Sequence, residues 1–304
     1  MKASGIYLSL GEPLGAAKEK VPVVPHETAL PYLGLICLGF GVSAYGTLIG
    51  AGGGFILMPL LLILYPKDNP HFLTAISLAV VLINTLSGTV AYTKMKRVDY
   101  KSGLMFAAAT IPGAILGVLT TASVSRRLFE GVFSIFLIGL AGFMFLRPKS
   151  DASATYGKKS SGSDSRKARV LVRLDGVSFE YMYNPILGIG TFFFLGFFAS
   201  FLGIGGGSLI VPILAYLLSF PVIIATATSQ LIVAFLTFTG TMAHIWIGSF
   251  HHGAHRIAAI GIGMLTGAQL GARLSSKIKG EWIIRSLAVA LVLVGVRMLV
   301  AVFR

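Results

Sequence analysis

Long stretches of the chain contain apolar side chains and no Asp, Glu, Lys or Arg. These charge-free stretches are 28–66, 72–93, 102–125, 181–255 and 257–272, and the stretches 128–146 and 282–303 contain only one or two charges each. A helix that crosses a bilayer needs about 20 such residues. The pattern therefore predicts an all-α polytopic membrane protein with eight hydrophobic segments, at about 31–65, 73–93, 103–122, 128–146, 185–219, 222–248, 255–272 and 282–303.

The first segment, 31–65, is too long for a single straight crossing. As one helix it would measure about 52 Å at 1.5 Å per residue, whereas the hydrocarbon core of a bilayer is about 30 Å thick. Glycine in a helix interior costs about 1 kcal/mol relative to Ala. We therefore expect the helix to break at the glycines of this segment, and its counterpart 185–219 to break in the same way. The glycines concerned are Gly50, Gly52, Gly53 and Gly54, and Gly203, Gly205, Gly206 and Gly207.

A broken helix at membrane depth has a chemical consequence. Non-helical backbone is tolerated there only where it is buried in protein or lines a cavity. The break frees N–H groups at the start of the second half-helix, and these groups together with the helix dipole attract anions. The alternative is that the glycines only permit close helix packing, which is the role we expect for Gly113, Gly117, Gly267 and Gly271.

The chain contains the same pattern twice. Residues 50–59 are GAGGGFILMP and residues 203–212 are GIGGGSLIVP, at an offset of 153. LSGTVA at 86–91 matches FTGTMA at 238–243, and PGAILG at 112–117 matches TGAQLG at 266–271, at nearly the same offset. The sequence therefore predicts two homologous repeats of four segments each, a plan that is usual in secondary transporters with the substrate site between the repeats.

These paired glycine motifs, the proline after each and the 4+4 layout resemble the sulfite exporter (TauE/SafE) family over about residues 30–303. The resemblance implies transport of a small sulfur-containing anion, such as sulfite, thiosulfate or an organosulfonate. The predicted domains are a polar N-terminal arm (1–28), a first transmembrane repeat (29–146), a basic cytoplasmic linker (147–184) and a second transmembrane repeat (185–304). We expect each repeat to open with a Gly-broken helical hairpin.

The charges lie between the apolar segments and indicate membrane topology. The net charge is +14, and the basic residues concentrate at 94–101 and 147–173, as cytoplasmic loops do. No loop has the aromatic interleaving of a nucleic-acid-binding domain. The single cysteine, Cys37, excludes an internal disulfide. We expect the protein in the cell (inner) membrane, with the lipid bilayer as its surroundings, no nucleic-acid partner and a homodimer as the candidate assembly.

The apolar segments themselves indicate the sign of the substrate's charge. They contain no aspartate, and the one glutamate is Glu130 near a segment end. Cation transporters place carboxylates along the ion path, so we expect an anion, bound by neutral donors. Besides the glycines of the two triplets, the candidate binding residues are Ser77, Asn84, Ser208, Ser229, Gln230 and Gln269. A hydroxyl in this set has the alternative of bonding back to its own helix.

Two basic side chains are further candidates. His244 is the sole ionisable group deep in 222–248 and is a candidate for proton coupling, with a packing role as the alternative. Arg273 is a candidate for attracting the anion, although Arg97, Arg126, Arg127 and Arg273 all flank segments and are expected to extend toward lipid headgroups. His251, His252 and His255 are expected at the surface. We expect no metal and no cofactor.

Three functions are compatible with these features. A secondary transporter coupled to an ion gradient fits best, a passive anion channel stays open, and an intramembrane Ser/His hydrolase lacks both a serine elbow and an Asp. The positive charges do not choose between layouts, because inverted repeats place 16 of the 25 Lys and Arg inside and parallel repeats place 18 inside. We expect inversion, because a 35-residue segment with a central break fits two half-helices better than one crossing.

Overall fold

The computed structural model describes residues 29–146, 167–172, 178–249, 253–275, 277–278 and 280–302. The predicted N-terminal arm and the Ser/Gly/Lys-rich start of the linker lie outside these residues. The helices are α1 (Ala29–Leu48), α2 (Gly54–Leu64), α3 (Pro70–Lys94), α4 (Tyr100–Thr121), α5 (Arg126–Leu146), α6 (Pro185–Phe201), α7 (Gly207–Pro212), α8 (Val222–Trp246), α9 (Ala254–Ser275) and α10 (Gly280–Val302). A π-helical turn, Ile213–Leu217, continues α7.

Four of the described helices, α3, α4, α8 and α9, are each long and apolar enough to cross a membrane. They carry large apolar side chains such as Leu86, Leu119 and Phe238 on outward surfaces that are about half exposed. Lipid tails solvate such a surface, whereas water does not. The chain is an integral, multi-pass membrane protein.

Glycines let the helices of the two halves approach closely. On α9, Gly263, Gly267 and Gly271 lie against the backbone carbonyls of Ile36, Phe40 and Ala44 of α1. On α4, Gly113 and Gly117 lie against the carbonyls of Phe193 and Phe197 of α6. The packing predicted for Gly113, Gly117, Gly267 and Gly271 is confirmed. Since the residue numbers rise together, α1 runs parallel to α9 and α4 runs parallel to α6.

The central helices α3 and α8 run antiparallel. Gly88 of α3 lies against Gln230, and Leu78 of α3 lies against Gly240. Each of them runs parallel to one helix of the other half. On the α3 side, Ile83 contacts Gly261 and Ser87 bonds the carbonyl of Leu265 in α9. On the α8 side, Leu231 contacts Gly103 and Ala243 packs with Val118 of α4.

These directions define the path of the chain at each glycine motif. Both α1 and α3 run parallel to α9, so the chain between them reverses twice, once at 49–53 and again at 65–69. By the same reasoning α6 and α8 both run parallel to α4, and the chain reverses at 202–206 and at 218–221. The predicted segments 31–65 and 185–219 are therefore each two helices that form a hairpin.

The linker contains a strand pair that the sequence analysis missed. β1 (Lys167–Val172) pairs antiparallel with β2 (Ser178–Tyr183), with Lys167 opposite Tyr183. The all-α prediction is therefore wrong for this short part. The alternation of β-branched, aromatic and charged residues in 169–183 is the signal that predicts such strands. Tyr183 joins the hairpin to the helices, since its hydroxyl lies 2.7 Å from the Ser102 hydroxyl.

Two arginines do not extend toward headgroups as expected. Arg126 donates hydrogen bonds to the carbonyl oxygens of Leu62 (2.7 Å) and Asp68 (2.8 Å) and to the carboxylate of Glu130 (2.7 Å). It thus satisfies carbonyls that are left free where α2 ends. Arg97 is buried, with 5% of its surface exposed. Hydrogen bonds to carbonyl oxygens thus hold Arg126 in place, and Arg97 is buried just after the end of α3.

Candidate functional site

The two reversals at membrane depth are built from glycines in the left-handed conformation. We call 49–53 the first break and 202–206 the second break. In the first, Gly50, Gly52 and Gly53 have φ angles of 77°, 71° and 78°. In the second, Gly203, Gly205 and Gly206 have φ angles of 67°, 70° and 79°. A residue with a Cβ adopts this conformation only at a cost of about 1–2 kcal/mol, which explains why both copies carry the same glycine pattern.

The two breaks lie against each other at the centre of the molecule. Gly54, the first residue of α2, packs against the carbonyl group of Ile204 in the second break. Gly207, the first residue of α7, packs against Ala51 in the first break. Neither glycine has room for a Cβ. The starts of α2 and α7 therefore meet, and each lies against the other half of the chain.

Val81 and Val233 mark the depth of this meeting point. Each valine lies near the middle of its helix, α3 or α8, and both are fully buried. Both approach Gly52 of the first break and Gly205 of the second, within about 3.5 Å of the place a Cβ would take. The breaks therefore lie halfway along the central helices, with two apolar side chains packed against them.

Ser77 and Ser229 each hold the break of the opposite half. Ser77 donates a hydrogen bond to the carbonyl oxygen of Gly203 at 2.6 Å. Ser229 lies 2.7 Å from the carbonyl oxygen of Gly50 and 2.8 Å from that of Thr226 in its own helix. Both serines are fully buried. In this structure their hydroxyl protons bind backbone carbonyls.

Several donors at the starts of α2 and α7 have no acceptor within the described chain. In the first break, Gly52 N–H bonds the carbonyl of Gly46. The next two N–H groups, of Gly53 and Gly54, contact no described acceptor, and neither do those of Gly206 and Gly207. N-terminal N–H groups and the helix dipole together favour negative charge.

Ser208 adds a side-chain donor beside the start of α7. It follows Gly207 directly and is fully buried. Its hydroxyl has no hydrogen-bond partner among the described residues. A buried hydroxyl without a partner costs about 1–3 kcal/mol. It therefore marks a place where a ligand could accept a hydrogen bond.

A group of polar side chains lies beside the first break, between α1, α3 and α8. We call Ser43, Thr47, Asn84 and Gln230 the Asn84 cluster. Ser43 and Thr47 both place their hydroxyls on Asn84 Oδ1, the latter at 2.9 Å. The Asn84 amide nitrogen and both polar atoms of Gln230 are buried and have no partner in the described part of the chain. All four residues are fully buried.

The two amides of the Asn84 cluster have no polar counterpart in the other half. At the offset of 152 residues that relates α3 to α8, Asn84 corresponds to Leu236 and Gln230 corresponds to Leu78. Leu78 packs against Gly240, just as Gln230 packs against Gly88. The backbone is thus closely duplicated, whereas the two buried amides lie on one side of the breaks only. The counterpart of Thr47 is Ser200, whose buried hydroxyl has no partner among the described residues.

The remaining predicted residues lie apart from the breaks. Gln269 donates hydrogen bonds at 2.9 Å to the carbonyl and the hydroxyl of Ser87, and so joins α9 to α3. Arg273 is exposed in the last turn of α9. His255 is exposed at the start of that helix, whereas His251 and His252 lie outside the described residues.

His244 is buried at the far end of α8, and its neighbours are Ser249 and His71. The pairing with Ser208 or Ser229 that a hydrolase would need is not formed. The sequence does not point to His71, because no local pattern links this residue to one 173 positions further on. Among the described residues, no group of three or more His, Cys, Asp or Glu is placed to hold a metal ion.

Comparison with known proteins identifies the family of the chain. The family described as "Sulfite exporter TauE/SafE" matches residues 35–298. A "Probable membrane transporter protein YunE" from Bacillus subtilis is 32% identical over 271 residues, covering 87% of this chain and 96% of its own length. A "Probable membrane transporter protein" from Methanocaldococcus jannaschii is 27% identical over 277 residues, covering 87% of this chain and 94% of its own length. No solved structure matches significantly. The chain belongs to the sulfite exporter TauE/SafE family.

Proposed function

We propose that this membrane transporter moves a small sulfur-containing anion, such as sulfite, thiosulfate or an organosulfonate, by alternating access. The main support is that the starts of α2 and α7 meet at the buried centre of the molecule. Their N–H groups have no hydrogen-bond acceptor among the described residues. Half-helix N-termini at mid-membrane are a recurring way to bind anionic groups in transporters. The family description, which names sulfite, supports the sulfur chemistry.

The placement of the acidic side chains supports an anionic substrate. Asp68 forms a salt bridge with Arg256, and Glu130 forms one with Arg126. Asp99 accepts a hydrogen bond from Ser102 N–H at the start of α4. All three lie at helix ends and none contacts a break. The breaks therefore lack the carboxylates that cation transporters place along the ion path, whereas the starts of α2 and α7 favour an anion.

We further propose that the repeats 29–146 and 185–304 are inverted. The support is the antiparallel pairing of α3 with α8, together with the parallel pairing of α1 with α9 and of α6 with α4. These directions make α1 and α6 antiparallel. The reciprocal contacts, Gly54 with Ile204 and Gly207 with Ala51, are those that a two-fold axis in the membrane plane would produce. With the linker 147–184 in the cytoplasm, both termini are then outside.

Each predicted residue receives a role in this proposal. Gly53, Gly54, Gly206 and Gly207 supply backbone donors, and Gly52 and Gly205 supply the left-handed turns before them. Ser208, Asn84 and Gln230 supply side-chain donors. Ser77 and Ser229 hold the breaks in place, and Gln269 packs α9 on α3. Arg273 remains a candidate for attracting anions to the surface at the end of α9.

Two observations bear on the competing functions. Val81 and Val233 are fully buried against both breaks, and this closed centre favours a transporter with a moving barrier over a permanently open channel. The family and the names of its relatives indicate a transporter rather than an enzyme. Coupling to an ion gradient and assembly as a homodimer are parts of the proposal that need their own experiments.

The decisive functional experiment is an uptake assay with purified protein in liposomes. Radiolabelled thiosulfate and sulfite should accumulate with saturable kinetics, and unlabelled substrate on the far side should accelerate exchange. Ammonium and neutral sugars should neither be transported nor compete. Flux that rises linearly with concentration, without exchange, would identify a channel, and transport of cations alone would overturn the proposed substrate class.

A further inference from the structure

A second group of polar side chains lies near the start of α3 and the end of α8, on the other side of the breaks from the Asn84 cluster. It consists of His71, in the first turn of α3, His244, in the last turn of α8, and Ser249. Ser249 Oγ lies 2.8 Å from His71 Nε2 and 3.2 Å from His244 Nδ1. The ring centroids of the two histidines are 4.7 Å apart. We call these three residues the histidine cluster.

Counting hydrogen bonds shows that the histidine cluster is incomplete. A serine hydroxyl has one proton, so when both rings are neutral it donates to one ring and accepts from the other. The outer nitrogens, His71 Nδ1 and His244 Nε2, are buried without a partner in the described chain. One of them then carries a proton with no acceptor, and the other carries a lone pair with no donor. The hydroxyl of Thr241, three residues before His244, is also buried and unpartnered among those residues.

The surroundings disfavour the addition of two protons to the histidine cluster. Two imidazolium rings 4.7 Å apart would repel each other strongly. The negative end of the α8 dipole favours the charge on His244, whereas the positive end at the start of α3 disfavours it on His71.

Other charged groups at this end are already paired or exposed. Asp68 pairs with Arg256 at 2.6 Å and Glu130 pairs with Arg126 at 2.7 Å. Lys67 and His255 are exposed, and His251 and His252 lie outside the described residues. Both described carboxylates at this end are thus paired with arginines. An added proton at the histidine cluster calls for an external anion as its partner.

We propose that the histidine cluster is a second anion site, which binds a small oxyanion together with one proton. The proton converts the bare nitrogen to an N–H donor, so that both outer nitrogens donate, with Thr241 as a third donor. This site lies toward the far ends of α3 and α8, away from the breaks. It rests on the proposed anion transport and would serve as a station on the side of the membrane opposite the cytoplasmic linker.

Calorimetric titration of the purified full-length protein with thiosulfate tests the proposal. Thiosulfate remains a dianion across the range of about pH 5.5–8 in which imidazole titrates, so any pH dependence belongs to the protein. We expect one binding event at about pH 8 and an additional one near pH 6. Linkage to one proton limits the change in affinity to about tenfold per pH unit. Repeating the titration in buffers of different ionisation enthalpy should report uptake of about one proton per added anion.

Matched variants separate this site from the breaks. His244→Gln and His71→Gln keep amide donors but cannot take a proton, so each should lose the pH-dependent event and its proton uptake while keeping the event at pH 8. His255→Gln, at an exposed histidine nearby, should behave as the wild-type protein does. Ser249→Ala should weaken the pH-dependent binding event, because it removes the hydroxyl that bonds both histidine rings.

The outcomes distinguish this inference from the proposed function. One binding event at both pH values, without proton uptake, would overturn the second site and leave anion binding at the breaks intact. Binding to the His244→Gln variant with unchanged pH dependence would also overturn it. No thiosulfate binding at either pH would count against both proposals.

Discussion

The hydroxyl of Ser77 donates a hydrogen bond to the carbonyl oxygen of Gly203, 2.6 Å away, and this bond joins α3 of the first half to the break of the second. Ser229 makes the matching contact to Gly50 at 2.7 Å. Each half of the molecule therefore stabilises the irregular backbone of the other. A movement of one half relative to the other must change these two contacts together.

The first prediction concerns these two serines. Ser77→Ala leaves the buried Gly203 carbonyl without its donor, which should lower the free energy of unfolding by about 1–3 kcal/mol. Ser229→Ala should cost a similar amount at Gly50, because the two contacts are equivalent. Thermal melting in detergent measures both. Thr239→Ala, which removes an exposed hydroxyl bonded within its own helix, should change stability by less than about 0.5 kcal/mol. Equally small changes in stability in all three variants would show that the serines do not stabilise the breaks.

The second prediction concerns the glycines of the breaks. Gly206→Ala should destabilise the protein, because a φ of 79° costs about 1–2 kcal/mol for a residue with a Cβ. Its Cβ would also lie 2.8 Å from that of Ala199. Gly190→Ala, in α6 with nothing within 4 Å of the new Cβ, should instead stabilise the helix by about 0.5–1 kcal/mol. Melting temperatures that shift in the same direction for both variants would contradict the left-handed backbone at Gly206.

The third prediction concerns the two amides of the Asn84 cluster. Gln230→Leu and Asn84→Leu replace each amide by the leucine that the other half has at the equivalent position, Leu78 and Leu236 respectively. Gln230→Leu should remain as stable as the wild type, because both polar atoms that it removes are buried without partners. Asn84→Leu should be less stable, because it also removes the oxygen that accepts from Ser43 and Thr47. Anion binding should fall by about tenfold or more, corresponding to loss of at least one buried hydrogen bond to a charged ligand. Gln269→Leu is the matched control, since it breaks bonds to Ser87 away from the breaks. Unchanged affinity in the first two variants would remove the Asn84 cluster from the anion path.

Much of the fold could be predicted because its causes are local or repeated. Charge-free stretches predict the helices, and an over-long segment with clustered glycines predicts each break. The nearly constant offset between matching motifs predicts the duplication. Small residues spaced four apart, such as Gly113 and Gly117, predict close helix packing. The β-hairpin has a signal, the alternation in 169–183, but this signal is short and follows a Ser-, Gly- and Lys-rich stretch that has no such alternation.

The candidate site was only partly predictable because its contacts join distant residues. Asn84, Ser208 and Gln230 stand out in the sequence as polar groups in apolar segments. No sequence pattern shows that the Ser77 hydroxyl binds a carbonyl 126 positions away, or that His71 meets His244. The asymmetry between the halves does have a signal, since aligning the repeats places Leu78 opposite Gln230 and Leu236 opposite Asn84.

The fourth prediction concerns topology. Inverted repeats with a cytoplasmic linker place both termini outside. A reporter that is active only in the cytoplasm should therefore be silent when fused to the C-terminus and active when inserted within 147–166. A bright C-terminal fusion would indicate parallel repeats and contradict the proposed two-fold axis. Insertion in the linker serves as the internal control for expression.

The most direct test of anion binding at the breaks is substrate protection of a cysteine placed at Ser208. Ser208→Cys changes one atom beside the start of α7, and Cys37→Ser removes the single native thiol. The variant should react with a small, membrane-impermeant thiol reagent during transport in liposomes, since alternating access exposes the centre. Thiosulfate, or whichever anion the wild-type protein transports, should slow the reaction with the same concentration dependence as uptake. A reaction rate that a transported anion leaves unchanged would contradict a binding site at the two breaks.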